Sequence, residues 1–76
     1  MLDMSNWTVT VETLTEEQAR DYGRLDVAGT EGIVVRYHDG RFVKVAEVRD
    51  EIQPGLSMAK AARAIAEGYG ARYVAS

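Results

Sequence analysis

The stretch Gly32-Ile33-Val34-Val35-Arg36-Tyr37-His38-Asp39-Gly40-Arg41-Phe42-Val43-Lys44-Val45-Ala46 sets two runs of β-branched and aromatic residues around His38-Asp39-Gly40, the pattern of a β-hairpin. Loop length decides which side chains meet. A two-residue Asp39-Gly40 loop would pair Tyr37 with Phe42 and Val35 with Lys44, mixing apolar and charged residues on both faces. A three-residue loop, a type I turn followed by Gly40 in the left-handed conformation, pairs Val35 with Val43 and Ile33 with Val45. It gathers Ile33, Val35, Tyr37, Val43 and Val45 on one face, and Val34, Arg36, Phe42 and Lys44 on the other. This register is the expected one, because a one-residue slip turns the apolar set outward.

Upstream, Trp7, Val9 and Val11 alternate with Thr8, Thr10 and Glu12, the period of two that marks a half-buried strand with a threonine-rich polar face. Thr15 then begins a helix, with Gln18 three residues on completing a capping box and Glu16 and Glu17 at the positive end of the helix dipole. The helix is short and ends near Gly23. Residues 24 to 32 read either as a brief strand and turn or as a loop. Downstream, the hairpin ends near Val48, and a loop over residues 49–55 carries the one proline. Ser57 caps a second helix from Met58, with Met58, Ala61, Ala62, Ile65 and Tyr69 on its apolar side, and Gly70 stops it. A final strand follows over residues 71–74. The order β-α-β-β-α-β predicts a small two-layer α+β sandwich of ferredoxin-like order, two helices on one face of a mainly antiparallel sheet and the other face open. One domain is expected over residues 6–76, preceded by a disordered tail over residues 1–5.

Composition narrows the function classes. Nine Lys and Arg against twelve Asp and Glu give a net charge of -3, which disfavours a protein built to neutralise nucleic-acid phosphates. With no Cys and one His, thiolate chemistry, disulfides and Cys- or His-cluster metal sites fall away, and no cofactor is expected. No stretch approaches the roughly 20 apolar residues of a membrane span, and the N-terminus lacks a signal-peptide pattern, so no membrane role and a cytoplasmic location are expected. Arg outnumbers Lys seven to two and Ala occurs ten times, a bias of high-GC bacterial or phage coding sequences.

Candidate chemistry is sparse. His38, between Tyr37 and Asp39 at a hairpin tip, has no second group fixed beside it and no shelter from water, and reads as a solvated turn residue rather than a general base. Glu12, Glu16, Glu17 and Asp21 lack the glycine-bearing loop that converges oxygens on a hard cation. No enzymatic activity is expected.

The outer sheet face carries the functional expectation: Arg36, Phe42 and Lys44, with Val34 beside them and Thr8 and Thr10 from the first strand. An aromatic between two cations on an open sheet resembles, in kind, the base-stacking platform of RNA-recognition modules. Threonine, however, stands where such a module carries a second aromatic, and the glycine-aromatic pattern of its third strand is missing. Residues 1–31 carry two basic and seven acidic groups, net -5, and residues 32–49 carry four and two, net +2. A domain so polarised suits a complementary protein surface or its own copy. The expected function is therefore a small non-enzymatic protein-interaction module, a homodimer by preference and a phage or mobile-element accessory protein by size. Nucleic-acid binding through the basic hairpin face or the second helix is the alternative.

Overall fold

The computed structural model describes residues 6–75, so the expected tail over residues 1–5 lies outside the described residues. Strand β1 (Trp7–Thr13) leads to helix α1 (Glu16–Asp21) and a 3₁₀ turn over Leu25–Val27, which resolves the stretch that sequence left between strand and loop. Strands β2 (Glu31–Tyr37) and β3 (Phe42–Val48) form the hairpin, and a second 3₁₀ turn (Arg49–Glu51) precedes helix α2 (Met58–Tyr69) and strand β4 (Arg72–Tyr73).

The element order matches the sequence reading, but the ferredoxin-like arrangement is not confirmed. The four strands lie in the order β3-β2-β1-β4. β1 pairs antiparallel with β2, β2 antiparallel with β3, and β1 parallel with β4. The first three strands are thus a meander whose β1–β2 connection carries α1, and α2 crosses from β3 over to β4 on the far side of β1.

A further correction concerns the helices, which lie on opposite faces. Ile33 and Val35 pack with Met58, Ala61, Ala62 and Ala66 of α2, whereas Val34 packs with Ala19 of α1, Val27 and Leu14. Neighbouring residues of a strand point to opposite faces, so the sheet is a middle layer and not one side of a two-layer sandwich. α1 and its 3₁₀ turn lie over the β2–β3 half, against Val34, Val45 and Val48. No described helix packs on the β1–β4 half of that face, which presents Thr8, Thr10 and Glu12.

The hairpin register also differs from expectation. The turn itself is as read: Gly40 has φ +95° and its N–H donates to the Tyr37 carbonyl, while the Tyr37 N–H donates to Arg41. Arg36 duly opposes Phe42. Beyond that pair two bulges intervene, so that Val35 opposes Lys44, Val34 opposes Val45 and Ile33 opposes Glu47. A bulge sets two residues against one. The shifts leave Val43 and Ala46 as the extra residues, both packed on the α2 side, and they turn Val45 to the α1 side and Lys44 to the α2 side.

The caps are as read. Thr15 Oγ1 accepts from the Gln18 N–H while Gln18 Oε1 accepts from the Thr15 N–H, and Ser57 Oγ accepts from the Lys60 N–H. Gly70 ends α2 at φ +68°.

The α1 excursion closes tightly at its base. The Leu14 N–H donates to Thr30 and the Gly29 N–H to Leu14, and Leu14 lies directly over Gly32, where a Cβ would stand 2.8 Å from both Leu14 methyls. Gly68, on the exposed side of α2, would meet nothing within 4 Å. Gly32→Ala is therefore expected to cost about 1–3 kcal/mol through overpacking. Gly68→Ala should instead stabilise by about 0.5–1 kcal/mol through helix propensity. Urea denaturation of the two variants checks the opposite signs.

Candidate functional site

The face opposite α2 is built from cross-strand rows. Thr8 opposes Arg36 on β2 and Arg72 on β4, and Arg36 opposes Phe42 on β3. Arg72, Thr8, Arg36 and Phe42 thus form one row across all four strands. The next row holds Thr10, Val34 and Val45.

Of the residues expected at this site, the structure brings Thr8, Thr10, Arg36 and Phe42 together on one side. Val34 points the same way but is fully buried beneath α1, so it supports the site and touches no partner. Lys44 leaves it: the β3 bulge at Val43 turns its ammonium over the Tyr69 ring, 4.8 Å from the centroid, on the α2 side.

Arg36 is held from within. Its Nε and Nη2 donate to the two Glu12 oxygens at 2.7 Å each, and its Nη1 donates to the Gly40 carbonyl at 2.8 Å. The Thr10 hydroxyl donates to the same carboxylate. The bidentate fork fixes the guanidinium plane, tying β1, β2 and the hairpin turn together. Its hydrogen bonds, outweighing partial burial, hold the Glu12 carboxyl below the ordinary glutamate value of 4.5.

Beyond Phe42 the face dips. Thr15, Glu17, Gln18 and Asp21 of the α1 segment and the Phe42 side chain line a hollow of about 420 Å³. Glu17 and Asp21 are exposed and, among the described residues, form no ion pair. The side opposite α2 therefore runs from a cation at its β4 edge, across the half without a helix, to two α1 carboxylates beside β3.

Two features escaped the sequence reading. Arg72 joins the row only because β4 runs parallel to β1 in this register, and nothing in a two-residue strand announces its neighbour. On the α2 side, Trp7 meets Tyr37 and Tyr69 edge to face, with centroids 6.5 and 5.8 Å apart, and Arg41 stacks over Tyr37. The alternation of the first strand placed Trp7 on the apolar face, but its aromatic neighbours come from β2 and the end of α2.

A second charged cluster is structural. Arg24 donates to both Asp50 oxygens at 2.7 Å and to Asp26, and the Tyr22 hydroxyl donates to Glu51. It clamps α1 and the first 3₁₀ turn to the second. Hydrogen bonds from Arg24 lower the Asp26 and Asp50 carboxyls, and the Glu51 bond pushes the Tyr22 phenol up to about 12.

Among the described residues no group of three or more His, Cys, Asp or Glu could hold a metal ion, and no helix is long and apolar enough to cross a membrane. No family model, curated protein or solved structure matches the chain.

The Glu12–Arg36 pair yields a pH test. A carboxyl with a lowered folded-state pKa contributes stability that is complete above its unfolded value and fades as pH falls through the folded one. Glu12→Gln is expected to cost about 1–2 kcal/mol at pH 7, the worth of charge-assisted hydrogen bonds. The gap from wild type should hold down to about pH 5.5 and close below the ordinary value of 4.5. Urea midpoints at pH 7, 5.5, 4 and 3 check this; a gap unchanged at pH 3 rules the assignment out.

Proposed function

We propose that this chain is a small non-enzymatic interaction module that binds a protein through the sheet face opposite α2. The observation that carries the reading is the row Arg72, Thr8, Arg36 and Phe42, which crosses the whole sheet and ends at a hollow walled by the Phe42 ring. Protein interfaces centre on an aromatic or arginine anchor surrounded by polar groups that orient the partner. Phe42 supplies the anchor, Thr8 and Thr10 the adaptable hydrogen bonds, and Arg72 and the α1 carboxylates charges of both signs. Arg36, held by Glu12, positions the row. Lys44, on the other side of the sheet, and Val34, buried beneath α1, take no direct part.

Nucleic acid is the weaker alternative. Lys44 and Arg41 lie against tyrosine rings on the α2 side, and Glu17 and Asp21 border the uncovered face, where they would repel phosphate.

Capture from nuclease-treated lysate, with the captured protein then purified and titrated, tests the proposal. Phe42→Ala is expected to weaken binding by roughly tenfold or more, as loss of an interface anchor does. Lys44→Ala, on the opposite face, should leave it unchanged. The reverse pattern, or oligonucleotide binding that falls steeply with salt, overturns the reading.

A further inference from the structure

We infer that the protein the uncovered face accepts is a second copy of this chain, Arg72 of each copy entering the hollow beside Phe42 of the other. The inference rests on the proposed use of this face and deepens it by naming the occupant.

Six of the seven arginines have partners within the molecule. Arg20, Arg24, Arg36 and Arg41 meet carboxylates, Arg49 donates to the Leu56 and Gln53 carbonyls, and Arg63 lies over Tyr73. Among the described residues Arg72 alone of the seven has none, and it stands at the β4 edge of the face. At the other edge, Glu17 and Asp21 line the hollow beside Phe42 and, like Glu31, Glu47 and Glu67, form no ion pair among the described residues; of these five, they are the two that border the hollow.

Two copies related by a two-fold axis present the same patch to each other, so with sheet faces opposed that axis lies in the plane between them. An axis across the strands would place each edge over itself, cation against cation and acid against acid. An axis along the strands places the β4 edge of one copy over the β3 edge of the other. It brings Arg72 to Glu17 and Asp21 twice, with the guanidinium close to an aromatic face as well as to carboxylates. The same rotation lays α1 of each copy over the β1–β4 half that the other leaves uncovered, so the two short helices complete one shared layer.

The size of the contact sets its strength. The molecule measures 33 × 27 × 23 Å, so a contact over only part of one face falls below the standard size of a specific interface, where association is weak and transient. Concentration dependence is therefore the readout.

Sedimentation velocity of the full chain, from about 1 to about 500 μM as a weak interface demands, should show the mass rising from 8.4 kDa toward twice that value, less readily at high salt. Arg72→Glu and the double variant Glu17→Arg, Asp21→Arg should each weaken self-association by roughly tenfold or more. An equimolar mixture of the two variants should restore it, since each then meets the opposite charge; circular dichroism confirms that both fold. Self-association untouched by Arg72→Glu, or a mixture that fails to recover, overturns the inference. So does a wild type that stays monomeric throughout. The interaction-module reading then stands or falls separately, on whether a different protein is bound in a Phe42-dependent way.

Discussion

Three consecutive β-branched residues, Ile33, Val34 and Val35, have no exposed surface at all, and the rest of the architecture answers to that constraint. A strand shows alternate residues to opposite faces, so three buried in succession require cover on both sides of β2. α2 supplies one side through a run of alanines that lets it lie close. The other comes from α1 and the Leu25–Val27 turn, an excursion that leaves β1, covers the β2–β3 half and returns one strand over. The run Ile33-Val-Val35 is itself the sign of a strand buried on both faces. Reading it as half-buried is what put both helices on one side.

The edge strand shows where legibility stops. Turn chemistry is local, so Gly40, the Thr15–Gln18 box, Ser57 and Gly70 all act as their residue types dictate. The two bulges of β3 are not local: they bring Phe42, Val45 and Val48 to the α1 side at intervals of three, while Lys44 and Glu47 turn away. That interval is visible in the sequence, but it acquires meaning only once a helix on the second face needs apolar contacts at those positions. The bulges serve a second end, since irregular edges resist pairing with other sheets. The same displacement separates Lys44 from Arg36 and dissolves the pair of cations that suggested a nucleic-acid platform.

Charge, too, is decided by placement. Arg36 reads as a free cation along the chain, and in the fold it is the most firmly held of the row, gripped by a Glu12 carboxylate that Thr10 also contacts. Which arginines are committed and which are free depends on strand register and on the path of two 3₁₀ turns, neither of which a charge count contains. What the count does preserve is polarity. The acids concentrated in residues 1–31 end up partly on α1, beside β3, while Arg72, without an ion pair among the described residues, comes to β4.

A separation of charge along the chain thus becomes a separation across one face, and this follows from the meander. β1, β2 and β3 step outward in sequence order, the α1 excursion is drawn over the outer pair, and the α2 crossover returns the C-terminal end to the far side of β1. Six residues of α1 cannot span four strands, since a helix advances only about 1.5 Å per residue, so half the face stays without a helix. In a chain of this size a single core has little stability in reserve. A surface half covered and oppositely charged at its two edges is one that a rotated copy of itself can complete.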